Sequence, residues 1–317
     1  MTANKEAERT AWLAERRTGI GGSDAAAVLG LSPWRTAVDV WLDKTGRRAD
    51  EPETEAMRIG TELEDYVARR YCEATGRTVQ RFNRMLHRGC LLGNLDRLVV
   101  AEGQKVASHM GEIRTDLLLE CKTSSQTAWP DGVPLYYQTQ VQHYMGLDER
   151  LRHADVAVLF LTAKHFETFR VERDDAVIAE MAQRLTAWWD RHVVHGAMPA
   201  PQSEEDCKAL WRRSNPGKTV EATDGIVEAV GLYKTAAGTI KAAKAAQDTA
   251  KDAICAAMGD AEILADGATG KPLVMWRSAK DTTTTDWRAL ALSLGATADQ
   301  IASYTDTKPG TRRFLVK

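Results

Sequence analysis

Two hydrophobic patterns alternate along the chain: apolar residues recurring every three to four positions, and shorter runs that are almost continuously apolar. The first pattern predicts amphipathic helices and the second predicts buried strands. The predicted helices cover residues 5–17, 37–45, 56–75, 135–145, 174–195 and 222–258. The predicted strands cover residues 79–82, 91–100, 117–125, 156–162 and 166–171. This order of elements predicts an α/β fold in which helices flank a mixed central sheet.

Residues 199–221 are rich in Pro, Ser and acidic residues, which predicts a linker. A core domain at 1–198 precedes it, and an accessory C-terminal module at 222–317 follows. The long helix 222–258 keeps a 4-3 spacing of apolar positions with a polar middle, which indicates a helical arm or a weak coiled coil. The rest of the module is predicted to form a small sheet from 261–266, 273–277 and 313–317, with a helix at 286–294.

The strand predicted at 117–125 carries two opposite charges, Glu120 and Lys122. Side chains alternate across a strand, so these two share one face while Leu119 and Cys121 share the other. Burying a charge costs several kcal/mol unless it is paired or bound to a metal. On this stretch alone, a structural Glu–Lys pair at a sheet edge explains the pattern as well as a functional site does.

Asp96 favours the functional interpretation, since it follows a glycine-containing turn and borders the apolar run that ends at residue 100. An Asp followed by Glu-x-Lys on the next strand is the PD-(D/E)XK nuclease pattern. Asp96 and Glu120 would hold Mg²⁺, while Lys122 would position and polarise the attacking water or steady the phosphorane charge. The pattern alone is weak, because these residues fall together by chance in many chains.

Two further polar residues lie on predicted apolar helix faces. Glu64 falls on the stripe that contains Val67 and Tyr71, a costly place for a carboxylate without a partner, so we expect it to be a third acid directed at the metal. Gln140 lies among aromatic residues, either as a satisfied core amide or as a group reaching the scissile phosphate or the attacking water.

A glycine-rich turn at 18–22 follows Arg16 and Arg17 and leads into an Ala-rich helix that Ser23 or Asp24 can cap. A glycine turn at a helix N-terminus binds anions readily, and the arginines favour an anion site over a plain capped turn. Nearby, Trp34 and Trp41 could stack on bases, but such tryptophans more often belong to the core, which is what we predict.

The 317 residues are 44% hydrophobic and 27% charged, an ordinary composition for a soluble globular protein. The net charge of −2 implies that any DNA contact comes from a local patch or an enclosed channel. The five cysteines lack C-x-x-C spacing, which argues against a zinc ribbon, a disulfide framework or a cysteine-bound iron–sulfur cluster. Without a long apolar run or a signal-peptide core, we expect a cytoplasmic protein that does not associate with membranes.

Five ordered motifs carry a family resemblance: RRTGIGGSD at 16–24, GTELE at 60–64, GNLD at 93–96, LECK at 119–122 and QVQ at 140–142. Over about residues 10 to 195 the chain resembles the YqaJ-like viral recombinase family, related to the lambda-type alkaline exonuclease. An insertion at 102–114 departs from the lambda-type spacing and puts the strand pairing there in doubt.

The resemblance implies a PD-(D/E)XK fold that uses Mg²⁺, with Mn²⁺ as a substitute, and digests double-stranded DNA ends 5′ to 3′. It also implies a single-strand annealing protein as partner, a homotrimeric ring, and a phage or prophage protein acting in a bacterial host. The implied site residues are Asp96 and Glu120 as metal ligands, Lys122 as catalytic lysine, Glu64 and Gln140 as supporting groups, and Arg17 (or Arg16) with Ser23 as the 5′-phosphate pocket. Rival functions are a structure-specific or restriction-like endonuclease on the same fold, and a non-catalytic DNA-binding recombination scaffold.

Overall fold

The computed structural model describes residues 11–48 and 54–305. Residues 11–16 are the described part of the predicted N-terminal helix, and the strand predicted at 313–317 lies outside the described residues. The further helices are α1 (Gly22–Val28), α2 (Ala37–Lys44), α3 (Glu55–Thr75), α4 (Leu135–Leu147), α5 (Asp175–Trp189), α6 (Glu204–Leu210), α7 (Asp224–Met258), α8 (Trp287–Ser293) and α9 (Ala298–Ser303), with a π-helical turn (Asp190–Val194) after α5. The strands are β1 (Val79–Arg81), β2 (Leu86–Arg88), β3 (Leu91–Gly93), β4 (Arg97–Val99), β5 (Ser108–His109), β6 (Glu112–Ile113), β7 (Leu117–Ser124), β8 (His153–Phe160), β9 (His165–Glu172), β10 (Ile263–Ala265) and β11 (Pro272–Met275).

Five strands form the central sheet in the order β1-β4-β7-β8-β9. Neighbours are antiparallel except for β7 and β8, which are parallel. Leu118 of β7 packs in a cluster with Val141 of α4, whereas Leu119 packs in a second cluster with Val67 and Tyr71 of α3. The two helices therefore cover opposite faces of the sheet, and the predicted α/β fold with a mixed, helix-flanked sheet is confirmed.

The apolar run at 91–100 forms two short strands where the sequence predicted one. β3 pairs with β2, and β4 joins the central sheet beside β7. The glycine turn attaches to this region, because the N–H of Ile20 donates to the carbonyl of Cys90 (2.7 Å). A Cβ on Gly19 would lie 2.4 Å from the same carbonyl oxygen, so only glycine fits this approach.

The insertion at 102–114 folds into the hairpin β5–β6 outside the central sheet. The pairing of β4 with β7 on either side of it is intact, with Arg97 opposite Leu119 and Leu98 opposite Leu118. The extra residues therefore do not disturb the strands that carry Asp96 and Glu120.

The two tryptophans predicted to be core differ. Trp41 is 2% exposed, and its indole N–H donates to the carbonyl of His192 (2.9 Å), as expected. Trp34 is 65% exposed, so its assignment to the core was wrong. It lies in the turn between α1 and α2, where the local pattern does not tell which side of the chain faces solvent.

The chain divides into two compact units, residues 1–209 and 210–317. In the first unit, the buried Asp206 of α6 accepts a hydrogen bond from the hydroxyl of Thr36 at the start of α2 (2.6 Å). The second unit contains α7, the hairpin β10–β11, α8 and α9. The predicted boundaries at 198 and 222 stay predictions.

Candidate active site

Asp96 and Glu120 come together because their strands are neighbours in the central sheet. Asp96 directly precedes β4, and its Oδ2 accepts a hydrogen bond from the backbone N–H of Cys121 in β7 (2.8 Å). Glu120, next to Cys121, is 2% exposed. One carboxylate from the residue before β4 and one from β7 thus lie together at the sheet, in the arrangement that the PD-(D/E)XK pattern predicts.

The charge balance of this pair favours a bound cation. Burial and the neighbouring Glu120 carboxylate raise the pKa of Asp96 well above its ordinary value. Burial also raises the pKa of Glu120, although Lys122 opposes the change. The Oε2 atom of Glu120 is buried without a hydrogen-bond partner among the described residues. Carboxylate oxygens are the ligands that Mg²⁺ and Mn²⁺ prefer, so the residues present fit a divalent cation.

Lys122 lies beside the pair. Its Nζ donates to Oε1 of Glu120 (2.6 Å) and lies 4.7 Å from the ring centroid of Tyr137. Burial opposes the charge on this amine, but the carboxylates of Glu120 and Asp96 outweigh it and raise the pKa of Lys122 above its ordinary value. The two carboxylates therefore favour the charged form of Lys122, and an ammonium is suited to stabilise negative charge.

Gln140 of α4 fixes the orientation of Glu120. Its amide donates to Oε1 of Glu120 (2.8 Å) and to the hydroxyl oxygen of Tyr144 (3.0 Å). Helix α1 packs against both side chains, because a Cβ on Gly22 would lie 2.6 Å from the ring of Tyr144 and 2.9 Å from Gln140. Gln140 is thus a satisfied amide whose partner is a site carboxylate, and its contact with the scissile phosphate or the attacking water stays a prediction.

Glu64 has a partner that the sequence analysis did not identify. Its Oε1 accepts from Nη1 of Arg97 at 2.5 Å, and the Arg97 side chain is 5% exposed. The apolar stripe of α3 is buried at Val67 and Tyr71 but not at Met57, so Glu64 lies where the buried face ends. A basic residue directly after Asp96 in an apolar run was the available signal for this pair.

Within 11–48 and 54–305, no group of three or more His, Cys, Asp and Glu side chains is placed to hold a metal ion. Glu64 lies close enough to raise the pKa of Asp96 and of Glu120, but its carboxylate is held by Arg97. The three-ligand set of Asp96, Glu120 and Glu64 stays a prediction. The two carboxylates that lie next to each other are those of Asp96 and Glu120.

Arg16 and Ser23 line a cleft of about 170 Å³ that also contains Asp96. Nη2 of Arg16 donates to the Ser23 hydroxyl (3.3 Å), and its guanidinium lies 4.9 Å from the ring centroid of Trp12. Arg17 lies elsewhere, with Nε 3.6 Å from a carboxylate oxygen of Asp43. Of the two arginines that the sequence left open, Arg16 is the one beside Ser23 and Asp96.

The buried carboxylate of Asp24 is bonded to residues that form or hold this cleft. Asp24 pairs with Lys44 (2.7 Å) and Arg35 (2.8 Å) and accepts from the N–H of Gly21 (3.1 Å). Nζ of Lys44 also donates to the carbonyl of Arg16 (2.7 Å). The Gly21 amide is therefore used within the protein, and Arg16 and Ser23 stay the predicted anion-binding groups. The role of Lys44 had no signal in the sequence.

The model of the YqaJ-like viral recombinase domain matches residues 11–150. The protein YqaJ of Bacillus subtilis, described as uncharacterized, is 35% identical over 246 residues, which are 74% of this chain and 73% of the relative. The chain belongs to the YqaJ-like viral recombinase family. Every predicted site residue of this family member, from Arg16 to Gln140, lies within the matched residues.

Solved structures are similar at lower identity. The alkaline exonuclease LHK-Exo of Laribacter hongkongensis is 21% identical, with a TM-score of 0.47 over 59% of this chain and 93% of that one. A phage-related exonuclease from Haemophilus somnus is 14% identical, with a TM-score of 0.41 over 56% of this chain and 96% of that one. In the part of this YqaJ-like protein that the structure describes, no helix has the length and apolar character needed to cross a membrane.

Proposed function

We propose that this protein is a Mg²⁺-dependent deoxyribonuclease that digests double-stranded DNA ends in the 5′ to 3′ direction. One observation carries the proposal: Asp96, Glu120 and Lys122 are clustered in the sheet, and one buried oxygen of Glu120 has no hydrogen-bond partner within the described part of the chain. A structural Glu–Lys pair would need neither the second carboxylate nor the unpartnered oxygen. Metal-dependent hydrolysis of a phosphodiester would use all of these groups.

Asp96 and Glu120 would hold Mg²⁺, or Mn²⁺ in its place. When bound, the cation supplies Lewis-acid stabilisation of the phosphate and a water of lowered pKa. Lys122 donates hydrogen bonds to the attacking water or to the phosphate oxygens that gain charge, and its raised pKa keeps it protonated. Gln140 holds the shared oxygen of Glu120, which leaves the other oxygen for the cation.

The cleft that Arg16 and Ser23 share with Asp96 supports digestion from a 5′ end. A terminal 5′-phosphate carries more charge than an internal phosphodiester, and a guanidinium with a hydroxyl suits it. The cleft has a volume of about 170 Å³ and is lined by Asp96, so a strand end bound by Arg16 and Ser23 would lie beside a proposed metal ligand. These features favour an exonuclease over an endonuclease.

The proposed product is a 3′ single strand, the substrate of a single-strand annealing protein in recombination by a phage or prophage inside a bacterial host. A homotrimeric ring would enclose the duplex. Contacts inside the ring would then hold the DNA, although a chain of net charge −2 has no overall positive charge to attract it. Both the annealing partner and the ring are part of the proposal.

Digestion of linear and covalently closed circular plasmid, each with Mg²⁺ or with EDTA, tests this function. We expect Mg²⁺-dependent loss of the linear form alone, with early release of a 5′ label and late release of a 3′ label. Asp96→Asn is the inactive control. Cutting of the circle would support the endonuclease, and DNA binding without any digestion would support the scaffold.

A further inference from the structure

Trp34 presents a large apolar ring to solvent from a fixed turn. The N–H groups of Trp34 and Arg35 both donate to the Ser32 hydroxyl (3.3 Å each). Arg35 is held by the buried Asp24 (2.8 Å), and Thr36 caps α2 by accepting from the N–H of Asp39. The indole is 65% exposed although the turn that carries it is anchored at both ends, so much of a ring with a fixed position faces solvent. A ring held in this way loses little conformational freedom when a ligand covers it.

The exposed indole connects to the catalytic lysine through two tyrosines of α4. The ring centroid of Trp34 lies 4.6 Å from that of Tyr136, edge to face, and Tyr136 lies 4.4 Å from Tyr137. Tyr137 in turn lies 4.7 Å from Nζ of Lys122. A continuous row of rings therefore runs from the proposed position of the reacting phosphate to the surface.

We propose that Trp34 and Tyr136 stack on the nucleobase of a nucleotide that flanks the phosphodiester being cut. The inference rests on the proposed DNA hydrolysis at Asp96, Glu120 and Lys122. A base is joined through its sugar to the phosphate that we propose lies beside Lys122, so a base is the part of the substrate that a row of rings leading away from this lysine would meet. Every base has a π-face, which makes such a contact tolerant of sequence.

Stacking on these rings requires the base to leave its partner in the duplex. A base pair at a DNA end opens more readily than an internal one, because it is stacked on one side only. The contact would thus favour ends over the interior of a duplex. Loss of one base–aromatic stack corresponds to about a five- to 150-fold loss of affinity.

The test compares two 5′-phosphorylated duplexes, one natural and one with abasic tetrahydrofuran residues at the two nucleotides that flank the first phosphodiester to be cut. Trp34→Ala should lower kcat/KM on the natural duplex by about five- to a hundredfold, while Trp34→Phe keeps most of it. On the abasic duplex Trp34→Ala should cause no further loss, since there is no base to stack. Tyr136→Ala should show the same dependence on the base.

Trp287→Ala is the matched control, since Trp287 is a 73% exposed tryptophan on α8 of the second unit, and it should digest both duplexes like wild type. Circular dichroism and urea unfolding verify that each variant is folded, and Tyr136→Ala serves as the test if Trp34→Ala does not fold. Equal losses on both duplexes, or no loss on either, would overturn the stacking proposal. If the wild type digests neither duplex, the proposed nuclease function itself fails.

Discussion

Replacing Arg16 by alanine removes the guanidinium beside Ser23 and leaves Arg17 beside Asp43. A hydrogen bond to a charged group contributes about 1.5 to 3 kcal/mol, and 1.36 kcal/mol corresponds to a factor of ten in rate. We therefore expect kcat/KM on 5′-phosphorylated duplex to fall roughly ten- to a hundredfold. Arg16→Lys should recover part of the loss, because an ammonium keeps the charge but lacks the bidentate geometry of arginine.

The assay is a two-by-two comparison of wild type and Arg16→Ala on duplexes that end in a 5′-phosphate or a 5′-hydroxyl. Hydroxyl ends should be poor substrates for the wild type, and the substitution should affect them much less. Arg17→Ala is the matched control, since it removes the same charge one position along the chain and should change either rate little. Equal losses on both ends, or a larger loss for Arg17→Ala, would refute the phosphate contact.

Three further predictions follow from the buried charges and the domain division. Asp96→Asn and Glu120→Gln should abolish most hydrolysis. The Tm of the wild type should be higher in millimolar MnCl₂ than in EDTA, whereas the Tm of the two variants should not change. If both variants keep the rise in Tm, Asp96 and Glu120 are not the metal ligands. Asp24→Asn should lower the free energy of unfolding in urea by about 3 to 5 kcal/mol, because Lys44 stays buried without its anion. Burial would raise the pKa of Asp24, but Lys44 and Arg35 lower it below its ordinary value. The contribution of ionised Asp24 to the free energy of unfolding is therefore present above the usual carboxyl range and is lost only as the pH falls below that range. Loss of this contribution near neutral pH would contradict the assignment. Truncation after Thr219 should leave digestion of linear duplex largely intact and weaken association with an annealing protein in a pull-down; a folded but inactive product would assign the second unit to the nuclease site.

Local patterns predicted the sheet strand of the site well. The run ending in Glu120 and Lys122 is apolar enough to define a buried strand, and alternation then places both side chains toward α4. The order of Asp96 before Glu120 favoured a meeting of the two but did not settle it, because the insertion at 102–114 left the pairing of their strands open; the antiparallel pairing of β4 with β7 brings them together.

Contacts between distant parts of the chain could not be predicted in the same way. Glu64 looked unpaired because Arg97, 33 positions away, reaches it only in the folded sheet. The choice between Arg16 and Arg17 depends on how the N-terminal helix is rotated, which its sequence alone does not fix. Trp34 is of a residue type that usually lies in the core, and only the folded structure of its turn shows that it is exposed.

The Asp24 carboxylate explains how separate parts of the chain form one site. It holds Arg35 in the turn that carries Trp34, and it holds Lys44, which binds the carbonyl of Arg16. It also lies in α1, whose Gly22 packs against the α4 side chains that orient Glu120. The proposed phosphate, base and metal contacts are thus fixed to one buried anion. In the proposed function, a protein of net charge −2 would hold a DNA end through a few preorganised contacts, whose positions would matter more than the overall charge.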